Sequence, residues 1–412
     1  MSSLSGLADP FMCSRHLGAI SRLTITAVLL LASTLPAQAK APRNALPSAT
    51  DVRAIDRLVK RHSVVTAGMG VIRGGVLVWQ HHAGEQSPGV PASPATRYNV
   101  ASITKTVTAE TILRLVGQGR LSLDESMAAY WIDPDLASDP RVRLLTPRMA
   151  LNHTTGLPNW RFFLRGGKLA FQQTPGERYG YSGEGLDYVA RYAERKLATP
   201  FPDLVDETVF KPIGMNHSSI VVHRGDTETI ARPIDERGVF HGYYCRPAGK
   251  AACRAEGSYA AADDMVTTVD DYAAFLRAVV DAKGYGPALA ADRDRIQTDK
   301  ADQRVVDCAA RPAVLCPDAQ GYGLGFNVLR YGDAVILEHG GADWSELAVA
   351  YIAKPSRSGV IVFLNAPNRR ALAAMPEILE RIDPGSPFLQ EYRRWLAEAQ
   401  AQEAKAATTP KS

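Results

Sequence analysis

Val100-Ala101-Ser102-Ile103-Thr104-Lys105 sets a hydroxyl and an amine three residues apart at the start of a helical stretch. Side chains at i and i+3 share a helix face, so the two can meet. The first-turn amides of a helix point outward unpaired and carry partial positive charge, which favours an oxyanion. A serine so placed can act as the nucleophile of acyl transfer. The spacing alone is a weak signal, because serine is also a common N-cap. No other lysine of the chain has a serine three residues before it.

Two distant segments supply what this pair lacks. Tyr181-Ser182-Gly183 follows the turn Thr174-Pro175-Gly176-Glu177. A turn-rich loop can deliver a phenol into a cleft, and a phenol beside a lysine cation can serve as a base. The plainer reading is that Tyr181 packs against its own lobe. Glu338-His339-Gly340-Gly341-Ala342 directly follows a strand-like run. Its glycines allow close approach to the backbone, and the amide of Ala342, with that of Ser102, could hold an oxyanion. The plainer reading is a strand end with a satisfied histidine.

In this order Ser102-x-x-Lys105, Tyr181-x-x and His339-x-Gly341 resemble the three-part signature of the serine β-lactamase and penicillin-binding protein superfamily. The branch most like it holds class C β-lactamases, D,D-peptidases and related esterases and amidases. Leu151-Asn152-His153-Thr154-Thr155-Gly156-Leu157-Pro158, Phe210-Lys211-Pro212-Ile213-Gly214-Met215 and Gly321-Tyr322-Gly323-Leu324-Gly325-Phe326 also look like this branch. The likeness runs from about residue 51 to 380. It implies Ser102, Lys105 and Tyr181 as catalytic residues, with His339, Gly341 and Ala342 binding substrate. It implies no metal and no cofactor. Two departures matter. Gly183 stands where an asparagine is usual, and that asparagine would help hold the lysine and contact a substrate amide. His339 stands where β-lactamases usually carry lysine, and a histidine near pH 7 is only partly charged. Both lean towards esters or small amides. D-Alanyl-D-alanine carboxypeptidase and β-lactamase remain alternatives, as does a binding sensor that is acylated but not turned over. Trp160, Tyr322, Asp343 and Trp344 are candidates for the pocket lining, and His153 for fixing a turn.

The elements that must carry these residues fall into two groups. Asp51 to Arg61 reads as an amphipathic helix capped by Thr50. Val64–Arg73 and Val76–His82 flank Gly74-Gly75 and predict a hairpin. Strand character returns at Gly325–Leu329, Ala334–His339, Glu346–Ala353 and Gly359–Asn365, followed by helices over Arg370–Ile382 and Phe388–Ala401. The stretch between is mainly helical. The expected fold class is therefore α/β plus an all-α lobe. One antiparallel sheet is built from both chain termini and flanked by helices, and a mainly helical lobe is inserted. The resemblance implies the same β-lactamase/transpeptidase-like arrangement. The α/β lobe spans about 51–100 and 320–385, the helical lobe about 101–319, and the whole hydrolase domain 40–400, with a disordered tail over 401–412. The cleft between the lobes is where a ligand is expected.

Arg15 and Arg22 precede an apolar run, Leu23 to Leu35, that ends in Ala37-Gln38-Ala39. This is the order of a secretory signal peptide over residues 1–39, cleaved near Ala39. The run is too short for a stable membrane span, and the expected destination is the periplasm or the medium. Cys245, Cys253, Cys308 and Cys316 then form two local pairs, and an exported chain favours the disulfides Cys245–Cys253 and Cys308–Cys316. Zinc would need different spacing. A net charge of +4, with no basic run, argues against a nucleic-acid partner. The expected partner is a small ester, amide or peptide. The sequence leaves the oligomeric state open.

Overall fold

The computed structural model describes residues 45–408 apart from 224, 226, 247–251 and 310–315. The expected signal peptide lies outside the described residues, as do residues 409–412 of the expected tail.

The frame is an eight-stranded sheet. Near the amino end it takes β1 (Thr66–Arg73), β2 (Val76–Ser87) and β3 (Val90–Pro91). Four short strands follow: β4 (Tyr98–Asn99) pairs with β7 (Val266–Thr267), and β5 (Cys245–Arg246) with β6 (Ala252–Cys253). The later chain adds β8 (Ala319–Tyr322), β9 (Asn327–Tyr331), β10 (Ala334–Asp343), β11 (Glu346–Lys354) and β12 (Ser358–Asn365). The order across the large sheet is β3-β2-β1-β12-β11-β10-β9-β8, antiparallel throughout. The two chain ends meet at the β1–β12 ladder, where Thr66 faces Asn365 and Ile72 faces Gly359.

The central strands are buried on both faces, which is why they read as unbroken apolar runs. On β12, Val360, Val362 and Leu364 join a core with α1 (Ala49–Arg61) and, from the carboxy-terminal part, Met375, Ile378 and Leu379. Ile361 and Phe363 point the other way, into a core shared with the helical lobe. Period-two alternation thus divides one strand between two cores.

That lobe holds α2 (Thr104–Gly117), α3 (Pro147–Leu151), α4 (Gly183–Leu197), α5 (Phe201–Val205), α6 (Lys211–Ile213), α7 (Val269–Val280) and α8 (Pro287–Asp294). α9 (Asn368–Ile382) and α10 (Leu389–Thr408) close the opposite face of the sheet. Helix α2 is buried at every position from Thr104 to Leu115. Its buried hydroxyls are satisfied: Thr104 donates to Ala101 O (2.6 Å), Thr106 to Ile103 O (2.7 Å), Thr111 to Val107 O (2.9 Å).

Two details differ from expectation. Ser48, not Thr50, caps α1. Its Oγ accepts from the Asp51 amide and the Asp51 carboxylate accepts from the Ser48 amide, a capping box. The carboxy-terminal stretch is helical to Thr408, past the Ala401 where a disordered tail was expected. Alanine, glutamate, glutamine and lysine make a polar sequence but are also strong helix formers, and Arg369 pairs with Glu403 at 2.8 Å. Both cysteine pairs are bridged as favoured, Cys245–Cys253 and Cys308–Cys316. Among the described residues, no helix is long and apolar enough to cross a membrane.

Candidate active site

Ser102 sits in a 3-10 turn, Ala101–Ile103, just ahead of α2. Ala101 adopts φ 45°, a left-handed conformation that costs a non-glycine residue energy. Local bonds hold the turn. Asn99 Oδ1 accepts from the Ala101 amide (2.9 Å), and the Thr104 hydroxyl accepts from the Met265 amide (3.0 Å) while donating to Ala101 O. The serine is therefore clamped between β4 and the segment that leads into β7.

Lys105 is fully buried. Its Nζ donates to Ser102 Oγ at 2.9 Å and to the carbonyl of Ala262 at 3.0 Å. A neighbouring contact fixes that carbonyl: Asp187 on α4 accepts the Ala261 amide at 2.7 Å. The ring of Tyr181 lies beneath the same nitrogen, with its centroid 4.9 Å away. Serine, lysine and tyrosine are thus brought together from the start of α2 and the loop that leads into α4.

Tyr181 is braced from behind by His153, ring to ring at 4.5 Å. His153 Nδ1 accepts from the Ser182 amide at 3.2 Å, and Ser182 in turn caps α4 through the Gly185 amide (2.9 Å). His153 is completely buried, and its charge is disfavoured by burial and then by the Lys105 cation. Its backbone is left-handed, φ 60°. The turn that His153 fixes therefore also braces the ring of Tyr181.

The third segment lies on β10. Gly341 is where this strand meets the serine turn: a Cβ there would fall 2.1 Å from the Val100 carbonyl oxygen and 3.2 Å from the Ser102 amide. The glycine is required by chain-on-chain approach. β10 pairs with β9 only as far as Glu338, while its pairing with β11 continues to Asp343. The edge from Gly340 onward is thus free of strand pairing towards Ser102, and Ala342 on it is exposed.

His339 differs from expectation. Its Nδ1 donates to Gly340 O (2.6 Å), and its Nε2 accepts from the Tyr322 hydroxyl (3.1 Å). Both ring nitrogens are occupied inside the protein, and its ring centroid lies 6.3 Å from that of Tyr181. Burial, and then the Lys105 cation, push its pKa down to about 3, so it is neutral near pH 7. Tyr322 is buried core. Behind them Lys300 donates to Asn327 (2.9 Å) and Asn327 to Glu338 (2.7 Å), a buried relay in which desolvation shifts lysine and glutamate alike towards their neutral forms.

Gly183 has no room for a side chain. A Cβ there would lie 2.7 Å from the Trp160 indole. Asp343 and Trp344 line a cavity of about 230 Å³ beside Asn99, with Tyr243, Tyr244 and Arg254. Sequence reasoning missed the Ala262 carbonyl and the Trp160–Gly183 contact, both of which depend on distant segments meeting. Among the described residues, no group of three or more His, Cys, Asp or Glu side chains could hold a metal ion.

Residues 52–382 match the family model described as Beta-lactamase. Esterase EstB of Burkholderia gladioli is 28% identical over 198 residues, covering 40% of this chain and 50% of its own length. The D-alanyl-D-alanine-carboxypeptidase/endopeptidase AmpH of Escherichia coli K12 is 26% identical over 224 residues, covering 48% of this chain and 56% of its own. The chain thus spans about half the length of these curated relatives. The octameric penicillin-binding protein homologue from Pyrococcus abyssi superposes with a TM-score of 0.61 at 18% identity, covering 80% of this chain and 76% of that one.

Proposed function

Since the chain belongs to the Beta-lactamase family and is a serine hydrolase, we propose that it is an exported hydrolase of esters or small amides working through an acyl-enzyme on Ser102. Ser102 Oγ attacks the carbonyl carbon, and its proton passes to the Lys105–Tyr181 pair. The amides of Ser102 and Ala342 stabilise the oxyanion. The leaving group departs with the proton, and water then releases the acid and regenerates the serine. The roles of Tyr181 and Ala342 rest on their position along the cleft and on the family motif.

One observation carries the choice of substrate: the motif positions that would bind a charged or amide-bearing substrate are apolar or neutral here. Gly183 faces an indole, and His339 is neutral with both nitrogens engaged. A site without that cation gains nothing from a substrate carboxylate. The match to EstB agrees with this choice. The match to AmpH supports a second reading, D-alanyl-D-alanine carboxypeptidase activity. Export rests on the leader-like residues 1–39 and on the two disulfides.

Intact-mass analysis alongside turnover separates the readings. The substrates are a p-nitrophenyl ester, a D-alanyl-D-alanine peptide, a penicillin and a cephalosporin. Turnover of the ester, with little or none of the other three, is the expected result. Preferred turnover of the peptide supports the carboxypeptidase, and preferred turnover of a β-lactam a β-lactamase. One equivalent of stable acyl-enzyme without turnover marks a sensor.

A further inference from the structure

The strongest unexplained feature beside the site is aromatic. Trp160 is half-buried, with the edge of its indole at the place a side chain on Gly183 would occupy. Its ring centroid is 5.8 Å from Lys105 Nζ. Phe162 stacks on it almost in parallel, at 5.8 Å and 12° between planes, and Phe163 meets Phe162 edge-on at 4.6 Å. The two phenylalanines are 57% and 54% exposed. Exposed aromatic side chains in one contiguous patch mark an interaction surface, and this one begins at the lysine bonded to Ser102.

The patch is held rigidly. Arg161, between Trp160 and Phe162, donates through its backbone amide and guanidinium to both carboxylate oxygens of Glu184 (2.8–3.0 Å) and through its guanidinium to Asp133 (2.8 Å). The Asn159 carbonyl accepts from the Gly183 and Glu184 amides (3.0 and 3.1 Å). The loop is thereby fixed to the first turn of α4, next to the residue whose missing side chain it replaces. Preorganised apolar surface costs little ordering on binding.

We propose that Trp160, extended outward by Phe162, is the specificity wall of the site and receives an apolar alkyl or aryl group of the ester cleaved at Ser102. The indole takes the space an amide-binding side chain at position 183 would need. It also covers Lys105 by a cation–π contact. The proposal rests on Ser102 being the nucleophile.

The test uses the full mature chain as wild type, Trp160→Ala and Trp160→Phe. Active enzyme is counted in each by fluorophosphonate labelling, so misfolded protein does not enter the rates. One series varies the acyl group (p-nitrophenyl acetate, butyrate, octanoate), and another the alcohol (ethyl, butyl and benzyl acetate). In at least one series the kcat/KM ratio of the largest to the smallest ester should fall about ten-fold or more in Trp160→Ala, the scale of a lost apolar contact. It should largely recover in Trp160→Phe. The series that responds names the group that lies on the wall. Unchanged ratios in both series with labelled enzyme overturn the proposal and leave the nucleophile intact. Absence of labelling at Ser102 in the wild type overturns both.

Discussion

At the scale of single residues, charge is governed by burial. Lys105 is buried yet bonded to Ser102 Oγ and Ala262 O, so its position is fixed before substrate arrives. If Tyr181 shares the proton transfer, Tyr181→Phe should lower kcat by about 10²–10⁴ with the fold unchanged by circular dichroism; near-native kcat would exclude that role. His339 makes a different prediction. Folded, it resists protonation down to about 3; unfolded, it takes a proton near 6.5. Its contribution to stability is complete above about 6.5 and is lost as pH falls towards 3, at about 1.4 kcal/mol per pH unit. Glu338, raised to about 7 by burial, works in the opposite direction below pH 7. The His339 effect is therefore read as a difference. Between pH 6 and 4, unfolding free energy should fall less steeply in His339→Asn than in wild type, by about that amount per unit. Equal slopes would mean that His339 is protonated in the folded protein.

At the scale of elements, α2 is the part on which the site depends. It is anchored by a buried ionic cluster: Glu110 accepts from Arg293 (3.0 Å) and the Tyr285 hydroxyl (2.6 Å), and Arg114 lies 3.7 Å away. Arg293 also bonds Asp294 (2.7 Å), which binds Lys354 of β11 (2.6 Å). The chain of contacts ties α2 to the sheet across the lobe boundary. Removing the carboxylate takes an anion from two buried guanidinium groups, leaving Arg293 with Asp294 (2.7 Å) and Arg114 with only the Thr208 carbonyl (3.0 Å). Glu110→Ala should cost about 3–5 kcal/mol in urea unfolding, and a loss below about 1 kcal/mol would show that the cluster does not anchor the helix. The Ser102–Lys105 meeting was legible because helical spacing alone puts i and i+3 together. The strands were legible because β1, β11 and β12 are apolar on both faces. The Ala262 carbonyl under Lys105 was not legible, because it comes from 157 positions away. Nor was the neutrality of His339, which depends on tertiary burial. Gly183 was read as a missing side chain, and only the fold shows which residue fills the gap.

At the scale of the whole molecule, the sheet is closed by both chain ends and the helical lobe is inserted between them, so the serine turn and β10 meet at a lobe boundary. The β5–β6 bridge forms part of the cavity beside this boundary, with Cys245 and Cys253 in its wall. If the protein is exported, Cys245, Cys253, Cys308 and Cys316 should all resist alkylation until a reductant is added. Alkylation of all four without reductant would contradict the oxidised state. In the loop-entropy account, Cys245→Ser should cost about 2–3 kcal/mol, read as a lower urea midpoint, and an unchanged midpoint would show that the bridge does not restrain the unfolded chain.

The central claim is that Ser102 becomes acylated. Wild type and Ser102→Ala should be treated with a fluorophosphonate and digested for mass spectrometry. Wild type should carry one adduct, on the peptide containing Ser102, and the variant should carry none while melting as a folded protein. Full labelling of Ser102→Ala would contradict the account.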